Sequence, residues 1–289
     1  MRAVRSALFV PGHKADWIQK ALNSEADSII IDLEDAVPEA EKAVARENAR
    51  EALSAYQGET LIIVRVNPLD TPHFGRDIHA VANSHLAALL LPKVFSRDDM
   101  IRYDGLVLAA EIENGVPLGS VEVLPSFETA RAIKNASEIM SSPRVGGIMA
   151  AAARDADISR EVGFKWSPEG HETLFLRSKL VVEARAAGLR CLLVGLWQEV
   201  KDLDGLEAFA SDNSALGYSG QVIIHPSHAG PVNSAYGLSD KEIDYYRRLV
   251  SAFDDATRDG HGAVSFDGDH IDKAHALHAQ ELLNMHEKK

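Results

Sequence analysis

Three carboxylates lie within four residues in the acidic segment, residues 32–38, which reads Asp-Leu-Glu-Asp-Ala-Val-Pro. This segment follows an apolar run, Ser28 to Ile31, that has the pattern of a buried strand. Like charges crowded at the end of such a strand need a cation, a proton or a basic partner, because a low-dielectric site does not tolerate all of them ionised. The alternative is a solvated turn in which Asp35 caps the next helix and Pro38 lies in its first turn. The segment alone supports both interpretations equally.

Other polar side chains follow other apolar runs. Parallel strands that close into a barrel bring the residues after their carboxyl ends to one face. Carboxylates on such a face can hold a hard divalent ion such as Mg²⁺, which prefers oxygen ligands. An arginine fork beside them can grip a substrate carboxylate. The residues that lie at or after the carboxyl ends of predicted strands in this way are Arg65, Asn67, Lys93, Glu128, Asp155, Asp157 and His225.

Each of these residues also has a structural explanation. Glu128 could stabilise a helix N-terminus, Arg65 could pair with a structural carboxylate, and His225 could be a hydrogen-bonded core histidine. Taken singly, each structural explanation is at least as good as the functional one. Their joint placement after successive strands favours a functional site.

The elements that must position these residues alternate along most of the chain. The strand candidates are continuously apolar, which indicates burial on both faces, as in a parallel sheet covered by helices. Eight such units match a (β/α)₈ TIM barrel better than an open doubly wound sheet. The predicted strands are Ser6 to Val10, Ser28 to Asp32, Thr60 to Val66, Ala87 to Leu91, Ser120 to Leu124, Val145 to Met149, Arg190 to Val194 and Gln221 to His225. Predicted helices between them include Lys14 to Ser24, Glu39 to Tyr56, Thr129 to Ser137 and Thr173 to Ala187.

The alternation stops after His225-Pro226. A helix from about Asp240 to Arg258, a Gly-rich turn, an Asp-rich turn and a final helix from about Lys273 to Met285 are predicted there. We therefore expect a catalytic barrel over residues 1–228 and a C-terminal helical extension over residues 229–289. The extension is too short for an independent domain of usual size, so we expect it to pack over a barrel, its own or that of a neighbouring subunit. The sequence has no Gly-x-Gly-x-x-Gly motif after the first strand and no P-loop motif, which argues against a nucleotide-binding open sheet.

Composition excludes several classes of function. With 289 residues, 46% hydrophobic and 25% charged, the chain has the profile of a soluble globular protein. Its net charge of -13 argues against nucleic acid or an anionic membrane as a partner. Neither a secretory leader nor a transmembrane run is recognisable, which predicts a cytoplasmic protein. The single cysteine, Cys191, lies in an apolar run and is expected to be a buried, inert thiol.

Six segments in order carry a family resemblance: Arg5 to Gly12, the acidic segment with Lys42 and Arg46 after it, Val64 to Asn67, Leu91 to Lys93, Gly220 to Pro226 and Gly268 to Asp272. Together they resemble the citrate lyase beta-subunit family of the HpcH/HpaI aldolase superfamily. The resemblance spans nearly the whole chain. It implies a TIM barrel with a C-terminal extension, a homotrimer or hexamer, and Mg²⁺-dependent cleavage or formation of carbon–carbon bonds in CoA thioesters.

The resemblance also implies roles for individual residues. Glu128 and Asp157 are expected to ligate magnesium, and Asp155 is a rival for the second position because Arg154 to Asp157 departs from the family's usual Gly-Ala-Glu-Asp. Arg65 would grip the oxo-acid carboxylate, and Asp272, often delivered by a neighbouring subunit in this family, would act in acid/base chemistry. The acidic residues Asp32, Glu34 and Asp35 would hold metal-bound waters. Arg5 and Lys93 are weaker candidates for contacts with substrate or phosphate.

The expected function is a Mg²⁺-dependent lyase that cleaves a 3-hydroxyacyl-CoA thioester of the malyl, citramalyl or citryl type into an acyl-CoA and a 2-oxo acid. A related enzyme could instead hydrolyse the thioester or run the condensation. Two further alternatives are a class II aldolase acting on free hydroxy-oxo acids and a non-catalytic barrel, either a subunit of a lyase complex or a sugar-phosphate binding protein.

Overall fold

Eight parallel strands close into a barrel in chain order, within a compact unit formed by residues 1–236. The computed structural model describes residues 1–287 and confirms the predicted (β/α)₈ barrel. The strands are β1 (Ser6–Pro11), β2 (Ser28–Asp32), β3 (Leu61–Arg65), β4 (Leu86–Leu91), β5 (Glu122–Phe127), β6 (Gly147–Ala150), β7 (Cys191–Val194) and β8 (Gly220–Ile223).

Helices separate these strands and cover the outside of the barrel. Short 3₁₀ turns at Glu39–Glu41, His171–Thr173 and Pro226–His228 precede three of the helices. The helices are α1 (Ala15–Leu22), α2 (Lys42–Ala55), α3 (Phe74–Val81), α4 (Arg97–Asn114), α5 (Ala130–Lys134), α6 (Ala136–Met140), α7 (Asp157–Val162), α8 (Leu174–Ala186), α9 (Leu203–Leu216) and α10 (Ala229–Ala235).

The strands are continuously apolar because both of their faces are buried. Ile30 and Ile63 belong to a cluster inside the barrel, whereas Ile29 and Ile31 belong to the cluster between the strands and the helices. Every residue of β2 is buried, including Asp32 at its carboxyl end. The buried stretch therefore includes a charged residue, at the carboxyl end of the strand, as well as apolar ones.

Gly12 explains why the first motif ends in glycine. Its backbone N–H donates to the carbonyl oxygen of Asp32 over 2.8 Å. A Cβ at this position would lie 2.8 Å from that oxygen and 3.1 Å from the Cβ of Ala45. Only glycine lets the chain leaving β1 pass this close to the acidic segment.

Several predicted boundaries differ from the structure by one to three residues, and three of the differences are informative. β5 extends through Pro125, which pairs with Leu91, because the chain stays extended at the fixed φ of proline. The helix predicted over 129–137 is broken at Asn135, whose amide nitrogen donates to the carbonyl of Phe95 over 2.9 Å. The helix predicted from Glu39 begins as a 3₁₀ turn, and α2 starts only at Lys42.

A second compact unit begins at Gly237. The boundary lies there because α10 packs on β1 and α9, with Val232 in the barrel core. The second unit contains α11 (Asp240–Arg258), β9 (Ala263–Phe266), β10 (Asp269–Asp272) and α12 (Lys273–Glu287), and its small core includes Leu249, Ile271, Ala276 and Ala279. Both predicted helices are confirmed.

The antiparallel hairpin of β9 and β10 was not predicted. Its turn residues, Asp267 and Gly268, have positive φ values of 49° and 95°. The sequence Asp-Gly between two short segments, each with one apolar β-branched residue, is the local signal that could have revealed it. No helix within residues 1–287 is both long enough and apolar enough to cross a lipid bilayer.

Candidate active site

Asp32 and Arg65 meet at the carboxyl ends of neighbouring strands. The β2–β3 register places them opposite each other. Arg65 donates from Nε to Asp32 Oδ1 and from Nη2 to Asp32 Oδ2, both over 2.7 Å. The same carboxylate accepts the backbone N–H of Glu34 over 2.9 Å and of Ala36 over 3.0 Å. Asp32 therefore orients the arginine and shapes the acidic segment, which excludes a merely solvated turn.

Glu34 is buried between two cations and two further carboxylates. Its Oε2 lies 3.2 Å from Arg65 Nη1, and its Oε1 lies 3.2 Å from Lys93 Nζ. Burial raises the pKa of Glu34 to about 7, with Asp35 and Glu128 adding to the rise and Arg65 and Lys93 opposing it. The two cations beside Glu34 thus offset only part of the effect of burial.

Glu128 follows β5 and lies 9% exposed. Its Oε1 accepts the backbone N–H of Lys93 over 2.7 Å, and its Oε2 accepts the Ser126 hydroxyl over 3.1 Å. Lys93 has a φ of 51°, a left-handed conformation that is uncommon outside glycine. That backbone conformation directs the N–H of Lys93 to Glu128 while its ammonium reaches Glu34. Thr129, not Glu128, provides the side-chain cap of α5.

A cavity of about 400 Å³ opens beside these groups. Its wall includes Glu34, Lys93, Lys42, Asn67 and the exposed Asp35. Carboxylates, ammonium groups and an amide therefore line one space at the carboxyl-terminal face of the barrel. This is the face on which TIM barrels build their active sites.

The structure does not bring the aspartates after β6 into this cluster. Asp157 is the first residue of α7 and forms an ion pair with Arg160. Asp155 is exposed and has a φ of 55°. Among the side chains that the structure describes, those of residues 1–284, no three His, Cys, Asp or Glu groups lie close enough to share one metal ion. The choice between Asp155 and Asp157 as a ligand therefore stays open.

Arg5 lies at the other end of the barrel, and its predicted contact with substrate is corrected here. It precedes β1, and its guanidinium donates to both oxygens of Asp27, over 2.9 Å from Nε and 2.7 Å from Nη2. Asp27 immediately precedes β2. Because the amino ends of parallel strands share the face opposite to the active site, Arg5 supports the fold there.

Asp272 belongs to the second unit, where it caps the start of α12. Its Oδ1 accepts the backbone N–H of Ala274 over 2.9 Å and lies 2.6 Å from Nδ1 of His275. The hydrogen bond from His275 holds the pKa of Asp272 below its ordinary value. Its role in acid/base chemistry stays a prediction. His225, after β8, caps the 3₁₀ turn Pro226–His228, and its Nδ1 accepts the backbone N–H of Ser227 over 3.2 Å.

A match to a protein-family model bears directly on this barrel. The model of the HpcH/HpaI aldolase/citrate lyase family matches residues 5–226. The chain belongs to this family. The matched span covers all eight strands and every member of the cluster around Glu34, and the family is one of enzymes. The resemblance read from the ordered motifs is thereby confirmed.

Individual members of the family are similar over almost their full length. The chain is 32% identical over 286 residues to citrate lyase subunit beta of Leuconostoc mesenteroides subsp. cremoris, covering 98% of this chain and 93% of that protein. It is 34% identical over 283 residues to a (3S)-malyl-CoA thioesterase of Cereibacter sphaeroides, covering 96% and 93%. The crystal structure of CitE from Mycobacterium tuberculosis in complex with magnesium, acetoacetate and coenzyme A superposes with a TM-score of 0.77 at 29% identity, covering 99% of this chain and 98% of that one.

The donor set in the family's barrel fits a hard cation. Glu34, Asp35 and Glu128 supply carboxylate oxygens, which Mg²⁺ prefers, and one or two of them with waters would suffice. Burial is the main cause of the raised pKa of Glu34, and a divalent ion beside this carboxylate would favour its charged form.

Three contributing residues were given no role by the sequence. Ser126 lies two residues before Glu128, on the same face of an extended chain, and this period of two was the available signal. Phe9 lies 4.7 Å beneath the guanidinium of Arg65. Lys42 belongs to one of the family motifs, but the motif assigns it no role; its Nζ donates to the carbonyls of Leu33 and Glu34.

Proposed function

We propose that this protein is a Mg²⁺-dependent carbon–carbon lyase that cleaves a 3-hydroxyacyl-CoA thioester of the malyl, citramalyl or citryl type. The observation that carries the proposal is the convergence of Arg65, Glu34, Lys93 and Glu128 at the carboxyl ends of β2 to β5. Two cations beside an excess of carboxylates suit a substrate that is both anionic and bound with a metal. The magnesium-bound CitE structure supports the choice of ion.

Magnesium would be held by Glu128 and Asp157, with Glu34 and Asp35 on its waters. When bound, the ion would supply a Lewis acid that polarises the oxygens of the substrate. Asp157 is paired with Arg160 and would have to leave that pair to serve as a ligand. Calorimetry with Mg²⁺ separates the candidates: we expect Asp157→Ala to abolish binding and Asp155→Ala to retain it. The reverse result would assign the ligand to Asp155.

Arg65 and Lys93 bind the anionic substrate. Asp32 accepts from Nε and Nη2 of Arg65, and Glu34 Oε2 lies 3.2 Å from Nη1, so a carboxylate of the oxo-acid fragment would share Nη1 with Glu34. The Lys93 side chain is 41% exposed and offers a second positive charge at the cavity wall. The arginine orients the substrate because its two hydrogen bonds to Asp32 hold its guanidinium in place.

The bond-breaking step moves one proton and one electron pair. A carboxylate base, proposed to be Asp272, takes the proton from the 3-hydroxyl oxygen. The carbonyl of the 2-oxo acid forms as the bond between C2 and C3 breaks, and the electron pair of that bond passes to C2 as the enolate of the acyl-CoA. Protonation of C2 completes the exchange, so atoms and charge balance without an oxidant or a reductant.

Thioester hydrolysis is the second candidate. The 34% identity to a (3S)-malyl-CoA thioesterase specifically favours it. In that reaction water attacks the thioester carbon, the bond to sulfur breaks, and the products are a hydroxy acid and free CoA. The same arginine and carboxylates would serve both reactions, so the products must decide.

Product analysis tests both candidates. Purified protein with Mg²⁺ is incubated with malyl-CoA, citramalyl-CoA, citryl-CoA and free 4-hydroxy-2-oxo acids, and the products are separated by chromatography. A lyase yields acetyl-CoA and a 2-oxo acid, a thioesterase yields free CoA, and a class II aldolase acts on the free acids alone. Absence of metal-dependent turnover of every compound would contradict the enzyme proposal.

A cytoplasmic location and assembly as a homotrimer or hexamer also belong to the proposal. If Asp272 acts on a neighbouring barrel, mixed oligomers of Asp272→Asn and Glu128→Gln will recover activity that neither variant has alone. Absence of recovery in mixed oligomers, verified by mass spectrometry, would place Asp272 on its own barrel.

A further inference from the structure

Lys42 is a buried lysine whose described hydrogen bonds end on neutral oxygens. It is 9% exposed, and its Nζ donates to the carbonyls of Leu33 and Glu34 and to Oδ1 of Asn67, each over 2.7 Å. An ammonium group has three N–H donors, so all three are used. Burial of this charge is costly because the ammonium group loses its hydration. An apolar side chain could fill the same volume without that cost. The placement therefore points to a purpose other than stability.

Two of the three acceptors belong to the acidic segment. The carbonyls of Leu33 and Glu34 belong to the two peptide bonds that flank the Cα of Glu34. The third acceptor, Asn67, comes two residues after Arg65, and its Nδ2 also donates to the carbonyl of Leu33 over 2.9 Å. Lys42 thus joins the backbone that carries Glu34 to the loop that follows Arg65.

A second layer fixes this junction. Asp77 of α3 accepts from the backbone N–H of Asn67 over 3.0 Å and from its Nδ2 over 2.6 Å. Arg46, one turn after Lys42 on α2, donates from Nε to the other oxygen of Asp77 over 2.9 Å. One face of α2 therefore supplies both cations of a network that holds the loops after β2 and β3 together.

We propose that Lys42 is a positioning residue that sets the place of Glu34 relative to Arg65 through its three hydrogen bonds. It acts through those two side chains and does not contact the reacting atoms. The kinetic part of its test rests on the proposed function, whereas the structural part does not.

Chemical rescue tests the role of the ammonium. Lys42 lines the cavity of about 400 Å³, so a small alkylammonium ion can reach the space left in Lys42→Ala. We expect kcat of this variant to fall about 100-fold with KM changed less than about threefold, because the loss is one of alignment. Propylammonium should restore kcat at least about tenfold. Tetramethylammonium, which has the charge but no N–H donor, should restore nothing. The matched control, Lys20→Ala on the exposed face of α1, should retain wild-type kcat.

Amide hydrogen exchange tests the same point without turnover. Residues 33–37 should exchange faster in Lys42→Ala than in the wild type and slow again with propylammonium. If the wild type turns over no thioester, the proposed function fails while this exchange result still decides the role of Lys42. If Lys42→Ala does not fold, Lys42→Arg retains the charge but not the three-way geometry, and the same losses are expected. Wild-type exchange with wild-type kcat in the folded variant, or equal rescue by tetramethylammonium, would overturn the proposal.

Discussion

Two buried glutamates at opposite ends of the barrel behave in opposite ways. Glu111 of α4 is fully buried and accepts from Nη1 and Nη2 of Arg144, over 2.6 and 2.9 Å, and from the backbone N–H groups of Gly119 and Val121, both over 2.9 Å. Burial opposes its ionisation, but these hydrogen bonds outweigh burial and hold the pKa of Glu111 below its ordinary value. The charge near the amino ends of β5 and β6 is fully matched by donors.

Glu34 is buried almost as deeply and lacks such donors. Its two ion-pair distances are both 3.2 Å, and Asp35 and Glu128 lie near enough to repel it. Burial is the main cause that raises its pKa to about 7, and Asp35 and Glu128 add to the rise. The contrast teaches that burial raises the pKa of a carboxylate unless directed donors outweigh it, as they do at Glu111 and do not at Glu34.

Removal of a carboxylate from the under-matched end should mainly affect chemistry. Glu128→Gln keeps the size of the side chain but removes the charge proposed to hold magnesium, so we expect kcat to fall about 1000-fold, or roughly 4 kcal/mol of transition-state stabilisation. The measurement is metal-dependent turnover, with the thermal midpoint recorded in parallel. A variant that keeps more than a tenth of wild-type kcat would remove Glu128 from the site.

The matched end should respond in stability instead. Glu111→Gln leaves the guanidinium of Arg144 without its bidentate carboxylate, and we expect a loss of about 3 kcal/mol in the free energy of unfolding. Urea denaturation measures it. Glu113→Gln, an exposed change on the same helix, is the control and should cost less than about 0.5 kcal/mol. Equal effects of the two changes would contradict the distinction drawn between the ends of the barrel.

The smallest effect concerns pH and Glu34. A carboxyl whose pKa is raised in the folded state favours folding while protonated, so its contribution is fully present below its ordinary pKa and is lost as the pH rises to about 7. In metal-free buffer, wild-type stability should therefore decline over this range by on the order of 1 to 2 kcal/mol more than that of Glu34→Gln. Parallel pH profiles of the two proteins would show that Glu34 titrates normally.

Much of the barrel could be predicted because local pattern and burial agree. Ser28 to Ile31 is apolar throughout, and a strand buried on both faces must be so, whatever its neighbours. Ser239, which accepts from the backbone N–H of Glu242 while the Glu242 carboxylate accepts from the N–H of Ser239, starts α11 close to the predicted residue. The break at Asn135 is not marked by the local pattern of apolar residues, and the side chain of Asn135 donates to the carbonyl of Phe95, which is distant in sequence.

The composition of the site followed from the sequence, but its pairings did not. Acidic and basic residues after successive strands indicated a shared face, and Asp32, Glu34, Arg65, Lys93 and Glu128 do meet there. Arg5 carries the same charge as Arg65 and lies in an equally distinctive motif, yet it faces Asp27 at the amino ends of the strands. Residue type alone could not separate these two arginines, because an arginine can pair with a carboxylate at either end of the barrel, as both do here.

The sequence by itself determined the alternation of strands and helices, the polar residues at the strand ends and the family. Each of these depends on residue types along the chain. The tertiary structure alone decided which charges are matched. The donors to Glu111 come from two separate segments, Gly119 to Val121 and Arg144, and those around Glu34 come from β3 and the loop after β4. The strength of an ionic contact depends on distance and surrounding dielectric, and only the closed barrel sets both.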